Sequence, residues 1–450
     1  MSSLLMVESA TGNQKNRSNP IHGGFTDELG CAVYELQARI GLQSLWIVVV
    51  KQDEFMGEFR SGAGFSAIGK ARVHLSRFPG NGSCLINLAN AFRLDDQLAD
   101  GLSWARWSCE PSIWPEGTIP LLAHQGMGNI LMDFGSFAAA HDVFRCADPD
   151  GRNPAILFHR SRALLGAGQL RQAWELAEAR LDHPAWCEGL PQKPYWLDWS
   201  ETFSLTLWDE QGFGDTLQAL RWLPELPPRF SCLTIQVRAP LQRLLVAGLS
   251  WMGDALRVTQ RPVEPESRHH EGCHGSLLSL PARTASSSWP SGQVLRLPSV
   301  GLRNGQFQIG LVWEAGRYCH DPAKELEFRR KSLPASIRER MCAELRSRDV
   351  EVQLVQPGYD LPAKADFLEQ ARLIQRCNLL ISVDTAAAHL GGAIGHPTWL
   401  LLPWAAASRW GREGQSTPLY SSIRLFRQPR HQDWDAVLTA VLEAIDQELV

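Results

Sequence analysis

The most regular pattern of apolar and polar residues in this chain lies between positions 378 and 403. Leu379–Val383 is a short, mainly apolar run, typical of a strand that is buried on both faces. A polar turn and a run of small residues follow, which let a helix start close to a sheet. Glycines and a His-Pro pair end that helix before a second apolar run at Thr398–Leu402. The pattern predicts a strand, a helix and a second, parallel strand.

The same alternation of strands and helices extends over the carboxyl-terminal half of the chain. Further strands are predicted at Phe203–Trp208, Leu233–Val237, Leu277–Leu280, Phe307–Trp313 and Val350–Gln356. Helices are predicted at Thr216–Leu223, Pro240–Ala247, Pro334–Arg346, Ala363–Arg376 and Trp434–Glu448. We therefore expect two Rossmann-like α/β domains in tandem, residues 200–302 and 303–450, with a ligand cleft between them.

Residues 82–186 show an internal repeat of helical pattern. Three segments each read as two short amphipathic helices around a tight turn, and small residues recur in them: Leu85–Glu110, Leu121–Asp148 and Ala155–Asp182, with Ala99, Ala138 and Ala173. The offsets between these alanines are 39 and 35 residues, near the period of about 34 of tetratricopeptide repeats. A plain helical bundle is the alternative. Such repeats offer a groove for a protein or peptide partner.

Composition narrows the classes of protein. A net charge of −4 over 450 residues argues against general nucleic-acid binding. The apolar run Leu45–Val50 is too short to span a bilayer, and we expect no transmembrane segment and no secretory signal. Ten cysteines without a CxxC pair favour a reducing compartment, so a cytoplasmic protein is predicted. Residues 1–81 stay unassigned: Met1–Pro20 is expected to be disordered, and Glu28–Leu42 is a candidate helix.

Two polar turns at predicted strand ends are candidate sites. Asp384 and Thr385 precede a helix whose N-terminal dipole favours an anion such as a diphosphate, although both are also ordinary N-cap residues. In the loop Asp209–Asp215, the segment Gln211, Gly212 and Gly214 allows a ligand to approach the backbone. Asp215 either caps the next helix or faces the cleft as a general base.

Two charged or polar clusters have competing interpretations. Five basic residues follow a strand end and either neutralise a diphosphate or form a solvated face: Arg317, Lys324, Arg329, Arg330 and Lys331. The segment His269–His274 (HHEGCH) resembles a metal site, but a second pair of ligands at a distance is missing. No metal and no cofactor are expected.

Three stretches in this order resemble one family. They are WDEQGFGDTLQALRWLPEL (208–226), QIGLVW…RRKSLP (308–334) and DFLEQARLIQRCNLLISVDTAAAHLGGAIGHPTWLLLP (366–403). They are similar to bacterial tetratricopeptide-repeat proteins whose carboxyl-terminal half is a glycosyltransferase like the lipopolysaccharide heptosyltransferases of glycosyltransferase family nine. The resemblance covers about residues 82–450.

The resemblance implies an α-helical, tetratricopeptide-like repeat region followed by an α/β region with GT-B architecture, which consists of two Rossmann-like domains. The first of these, 200–302, would lie on the acceptor side and the second, 303–450, on the nucleotide-sugar side. It implies metal-independent, inverting transfer of a hexosyl or heptosyl group from a nucleotide-sugar to a glycan or protein acceptor. Asp215 would be the acceptor base. The donor phosphates would be bound by Asp384, Thr385, Ala386, His389 and Lys331.

The chain departs from the family pattern at three places. Glu314 puts an acidic side chain beside the expected phosphate site, Lys331 stands where arginine is usual, and the loop after Gln356 is short. The rival hypothesis is therefore a binding protein, a repeat scaffold with a degenerate, non-catalytic transferase module. A nucleotide-sugar epimerase that needs no acceptor is a third hypothesis.

Overall fold

The computed structural model describes most of the chain from residue 81 onwards. The described ranges are 81–182, 204–226, 232–261, 273–290, 292–301, 305–316 and 322–449, with short pieces at 25–26, 32–33, 35–40, 43–48, 68–69 and 75. Residues 1–67 form one compact unit and residues 68–450 another.

The described residues of the first unit form two antiparallel strand pairs. β1 (Phe25–Thr26) pairs with β2 (Ala32–Val33), and β3 (Glu35–Ile40) pairs with β4 (Gln43–Val48). The helix predicted over Glu28–Leu42 is therefore wrong, because apolar residues in β3 recur at every second position, the period of a strand. The disorder predicted for Met1–Pro20 lies outside the described residues.

In the second unit, the described residues 81–182 form three helical hairpins, one in each of the predicted repeat segments. Their helices are α1 (Gly82–Leu94), α2 (Leu98–Ser108), α3 (Leu121–Asp133), α4 (Phe137–Ala147), α5 (Pro154–Gly166) and α6 (Leu170–Ala177). A 3₁₀ turn at Glu178–Asp182 follows α6. Neighbouring hairpins pack on one another, α1 and α2 against α3, and α4 against α5. The assignment to tetratricopeptide repeats stays a prediction.

A four-stranded parallel sheet follows, in the order β7-β6-β5-β8. Its strands and helices are β5 (Ser204–Trp208), α7 (Phe213–Ala219), β6 (Cys232–Val237), α8 (Ala239–Gly248), β7 (Leu256–Gln260), β8 (Cys273–Ser276) and α9 (Leu280–Arg283). The strand predicted at Leu277–Leu280 is wrong. Ser276 ends β8, and its hydroxyl accepts a hydrogen bond from the backbone N–H of Leu278, which starts a 3₁₀ turn instead.

A second parallel sheet has the order β10-β9-β11-β12-β13. Its elements are β9 (Gln308–Val312), α10 (Pro322–Lys331), α11 (Ala335–Ser347), β10 (Glu351–Leu354), α12 (Phe367–Gln375), β11 (Leu379–Val383), α13 (Ala386–Ala393), β12 (Thr398–Leu402), β13 (Ile423–Arg427) and α14 (Trp434–Glu448). Strands β9, β11 and β12 are buried throughout. The mixed α/β architecture with parallel sheets is thus confirmed.

One apolar core joins the two sheets. It contains residues of β5 and β6 from the first sheet together with residues of α12, α13 and β12 from the second. The other face of the second sheet packs against α11 and α14 in a separate core. In both sheets the carboxyl ends of the strands carry the polar turns that were singled out in the sequence, after Trp208 and after Val383. Within the described residues no helix is long and apolar enough to cross a membrane.

Candidate functional site

The loop that follows β5 is clamped at its start. The carboxylate of Asp209 is completely buried and accepts a hydrogen bond from Nε of Arg238 at 2.6 Å, with Nη1 of Arg261 at 3.4 Å. Glu210 pairs with Nη2 of Arg180 at 2.7 Å, and Arg180 belongs to the helical region. Gln211 then adopts a left-handed backbone conformation, with φ of 57°. These contacts fix the path of the loop, so that the start of α7 has a defined position.

Asp215 caps a helix and also faces the second sheet. Its Oδ2 accepts a hydrogen bond from the backbone N–H of Gly212 at 3.0 Å, and its Oδ1 lies 2.6 Å from Nη2 of Arg409. Burial raises the pKa of this carboxyl, but the charge and hydrogen bond of Arg409 outweigh burial and hold the pKa below its usual value. Asp215 therefore takes part in capping α7 and also faces the second sheet, and it is ionised at neutral pH. Its role as a general base stays a prediction.

The turn between β11 and α13 has the expected cap. The hydroxyl of Thr385 accepts a hydrogen bond from the backbone N–H of Ala387 at 3.2 Å, so Thr385 is the N-cap of α13. Asp384 is buried, and its Oδ2 lies 3.1 Å from Nζ of Lys331. Burial raises the pKa of Asp384, but the charge of Lys331 outweighs burial and lowers the pKa to about 2.

Lys331 is shared between two carboxylates. Besides Asp384, its ammonium group lies 2.6 Å from Oε1 of Glu327, one turn earlier on α10. Burial lowers the pKa of Lys331, but these two carboxylates outweigh burial and raise it. The ammonium group is therefore charged, as binding of an anion requires.

His389 lies between the two polar turns. A Cβ built on Gly214 would lie 2.7 Å from Cδ2 of His389 and 3.5 Å from Cα of Ala386, so only glycine lets α7 approach α13 this closely. Nδ1 of His389 is 3.0 Å from the hydroxyl of Tyr420. Burial and the charge of Arg409 lower the pKa of His389 to about 3, and the imidazole is neutral at pH 7.

We call the space between the start of α7 and the start of α13 the crevice. Asp215 and Gly214 border it from the first sheet, and Asp384, His389 and Lys331 border it from the second. Asp215 and Lys331 keep 22% and 17% of their side-chain surface accessible, so the crevice admits solvent. The structure thus brings residues of both predicted turns together, as expected from the sequence. The binding and catalytic roles assigned to them stay predictions.

Arg409 is a crevice residue that the sequence did not reveal. It lies in a 3₁₀ turn, Ser408–Trp410, between β12 and β13, and pairs with Asp215 while Nη1 donates a hydrogen bond to Gln218 at 2.7 Å. Burial lowers the pKa of Arg409, and the carboxylates of Asp215 and Asp384 raise it beyond its ordinary value. A lone arginine in a loop with no neighbouring motif carries no signal that distinguishes it from a surface residue.

The five basic residues do not act as one group. Arg329 donates to the backbone carbonyl of Leu94 at 2.6 Å, and Arg330 forms ion pairs with Asp96 and Asp133, so both contact the helical region. The solvated-face interpretation is wrong for Arg330, whose side chain is largely buried in ion pairs with the helical region. Arg329 remains exposed while it donates to Leu94. Lys331 alone of the described members reaches Asp384, and Arg317 lies outside the described residues.

Two further sequence features can be placed in part. Of the HHEGCH segment, residues 269–272 lie outside the described ranges, and His274 is a buried residue of β8 whose Nδ1 accepts a hydrogen bond from the indole of Trp208. Within the described residues, no group of three His, Cys, Asp or Glu side chains is placed to hold a metal ion. Among those residues, Glu314 forms no ion pair, and its backbone carbonyl accepts a hydrogen bond from Gln356.

Comparisons with known proteins give distant similarities. No family model matches the chain. Protein FlbA of Caulobacter vibrioides is 24% identical over 360 residues, which is 70% of this chain and 59% of FlbA. The chain therefore spans about three-fifths of the length of that relative.

Similar solved structures include two kinds of glycosyltransferase. The ADP-heptose lipopolysaccharide heptosyltransferase II of E. coli is 14% identical, with a TM-score of 0.36. The match covers 55% of this chain and 100% of the heptosyltransferase chain. The O-GlcNAc transferase of Thermobaculum terrenum is 12% identical, with a TM-score of 0.29, and covers 86% of this chain and 88% of its own.

Proposed function

We propose that this protein is a glycosyltransferase that moves a sugar from a nucleotide-sugar donor to an acceptor hydroxyl, with two GT-B-type halves and inversion at the anomeric carbon. The observation that carries the proposal is the meeting of an ionised carboxylate, Asp215, with a cation and a helix N-terminus from the opposite sheet. The distances that define this arrangement are 2.6 Å from Asp215 to Arg409 and 3.1 Å from Lys331 to Asp384.

The donor diphosphate is assigned to the second sheet. The N-terminus of α13 presents backbone N–H groups and the positive end of a helix dipole, both of which favour a phosphate group. Lys331 adds a fixed positive charge beside that terminus. His389, which is neutral, contributes a hydrogen-bonding nitrogen without adding charge.

The proton transfer is assigned to Asp215. The acceptor oxygen attacks the anomeric carbon, the bond between that carbon and the diphosphate oxygen breaks, and the hydroxyl proton passes to the Asp215 carboxylate. The depressed pKa keeps Asp215 in the ionised form that accepts a proton. The negative charge that develops on the leaving diphosphate is stabilised by Lys331, Arg409 and the start of α13. No resident cofactor enters this scheme.

The helical region is proposed to select the acceptor, a glycan or a protein, along its groove. A location in the cytoplasm remains a prediction from the sequence.

A panel of UDP-, GDP- and ADP-sugars tests the proposed function. The purified protein is expected to bind at least one of them in calorimetry and to release the corresponding nucleoside diphosphate when a suitable acceptor is present. A protein that neither binds nor consumes any of them is instead a non-catalytic repeat scaffold. Product formation from the donor without any acceptor would identify an epimerase.

A further inference from the structure

The helical region reaches the crevice through α5. This helix packs against the 3₁₀ turn Ser408–Trp410, the turn that carries Arg409. Arg162 lies on α5, and its side chain is accessible to solvent. Four charged side chains are near enough to influence its guanidinium electrostatically: Glu327 and Asp133, which are negative, and Arg409 and Arg93, which are positive. Glu327 contacts Lys331, and Arg409 contacts Asp215. Arg162 is therefore a charged residue of the helical region next to the charged residues that the two sheets contribute to the crevice.

Arg162 differs from Lys331 and Arg409 because no described residue forms an ion pair or a hydrogen bond with it. Lys331 is held by two carboxylates, and Arg409 is held by Asp215. Among the described residues, by contrast, Arg162 forms neither an ion pair nor a hydrogen bond. The surrounding protein lowers the pKa of its guanidinium by partial desolvation, which Glu327 offsets only in part, and the group stays charged.

The two cations of the crevice are already engaged by carboxylates. Lys331 pairs with Asp384 and with the more exposed Glu327, and Arg409 pairs with Asp215. A diphosphate adds negative charge to this group, so a further cation that has no carboxylate partner would favour its binding. Arg162 is such a cation, and its unpaired guanidinium has the fork geometry that binds phosphate oxygens in pairs.

We infer that Arg162 binds the diphosphate of the ligand in the crevice, so that the anion site is built from three parts of the chain: the helical hairpins and both sheets. The inference rests on the proposed function, because it takes the ligand to be a nucleoside diphosphate or its sugar conjugate. It makes the helical region part of the donor site in addition to its expected role with the acceptor.

Titration calorimetry with matched ligands tests the inference. The probes are inorganic pyrophosphate, ADP, UDP and GDP, and the corresponding nucleosides without phosphate. Arg162→Gln is expected to weaken binding of pyrophosphate and of the favoured nucleoside diphosphate by about tenfold or more, since a charge-assisted contact is lost. Binding of the nucleoside is expected to stay within about twofold, and Arg162→Lys is expected to recover part of the affinity.

Arg171→Gln is the matched control. Arg171 lies on α6 of the same helical region, is 63% exposed and pairs only with Glu175 among the described residues, one turn away. Its replacement should leave every affinity unchanged. Thermal unfolding of all three variants should match the wild type, because neither arginine is part of a core.

The possible results separate the inference from the proposed function. If the wild type binds a nucleoside diphosphate and Arg162→Gln binds it equally well, the inference is overturned and the proposed function stands. If the wild type binds pyrophosphate but no nucleotide, and Arg162→Gln weakens pyrophosphate binding, Arg162 is an anion-binding residue and the nucleotide-sugar function fails. A wild type that binds none of the probes overturns both.

Discussion

The contact between Asp215 and Arg409 decides how the proposed base works. An ion pair at 2.6 Å orients the carboxylate across the crevice and keeps it ionised, but it also makes the carboxylate a weaker base than an unpaired one. Arg409 is also within electrostatic reach of Asp384. An incoming diphosphate would compete with Asp215 for Arg409, which couples donor binding to the strength of the base.

Replacement of Asp215 by asparagine separates catalysis from binding. Asp215→Asn keeps the size of the side chain but cannot accept the proton, so turnover should fall by about 100-fold or more while donor affinity is kept. Initial rates and donor titrations on the same preparation measure both. Asp142→Asn, at an exposed position on α4, is the control and should behave as wild type. Unchanged turnover in the Asp215 variant would leave this residue as a helix cap only.

His389 predicts a pH dependence of stability. Its pKa is about 3 in the folded protein against 6.5 in the unfolded chain, so between these values the unfolded state binds more protons. The contribution of His389 to stability is therefore complete above pH 6.5 and is lost progressively as the pH falls toward 3. Between pH 7 and pH 5 the loss from this residue is about 2 kcal/mol.

Denaturant unfolding of wild type and His389→Gln at pH 7 and pH 5 checks this expectation. The glutamine variant should lose less stability on acidification by about that amount, because it has no group that takes up the proton. Equal losses of stability in the two proteins would show that His389 has the same pKa in the folded and the unfolded state. At pH 5 His389 would then be a further cation in the crevice, next to Lys331 and Arg409.

At the scale of secondary structure, the first turn of α13 carries the proposed phosphate site. Thr385→Val removes the hydroxyl that caps Ala387 and places a methyl group where the diphosphate approaches. Loss of the cap should cost about 1 kcal/mol of unfolding free energy. Nucleotide affinity should fall by about tenfold, which is about 1.4 kcal/mol. Thr385→Ser keeps the hydroxyl and should match wild type in both measurements. Equal nucleotide affinity in the valine variant would place the donor elsewhere.

Helices and strands that are deeply buried were easier to predict from the sequence than exposed ones. The bounds of β11 and β12 were predicted correctly because both strands are buried on both faces and consist mainly of apolar residues. Helix α10 was missed because its sequence, PAKELEFRRK, has no apolar stripe. It is held by a hydrogen bond from Arg329 to the carbonyl of Leu94 and by an ion pair between Arg330 and Asp96. Both partners lie more than 230 positions away in the chain, and a local pattern does not contain them.

The same limit applies to the site. Asp215 and Asp384 could be named because each stands in a short motif after a predicted strand. Lys331 could be named because it ends a cluster of basic residues and lies in a stretch that resembles the family. Arg409 and Arg162 could not, since their importance depends on which distant segments fold against them. The sequence therefore predicts the two turns that meet at the crevice, but not the cations that the loop and the helical region bring to it.

At the scale of the whole molecule, the helical region contacts both sheets. At one end, Trp174 packs edge-on against Trp222 and Trp289 of the first sheet region, and Arg180 pairs with Glu210 of the site loop. At the other end, Asp96 in the turn after α1 and Asp133 at the end of α3 contact α10, whose last residue is Lys331. The helical region thus spans the two sheets and fixes the elements that border the crevice.

Arg330 is the centre of the contact with the second sheet, and its removal tests how strongly that contact is coupled to the site. Its Nε lies 2.6 Å from Asp96 and its Nη1 lies 3.0 Å from Asp133, and all three side chains are largely buried. Arg330→Met leaves two buried carboxylates with less compensation, so the unfolding free energy should fall by about 3 kcal/mol or more. Because Lys331 is the next residue of α10, affinity for a nucleoside diphosphate should fall as well.

The exposed ion pair of Arg340 and Asp435 is the control for the Arg330→Met variant. These side chains are 59% and 69% accessible, and Arg340→Met should cost less than about 1 kcal/mol. If both variants lose the same small amount of stability, the contact between α10 and the helical hairpins is weak, and the helical region does not position Lys331. If Arg330→Met is much less stable but binds nucleotide like wild type, the contact stabilises the fold without shaping the crevice. If the hairpins and the crevice form one unit, Arg330→Met should lose both stability and affinity for the nucleotide, whereas Arg340→Met should lose neither to a large extent.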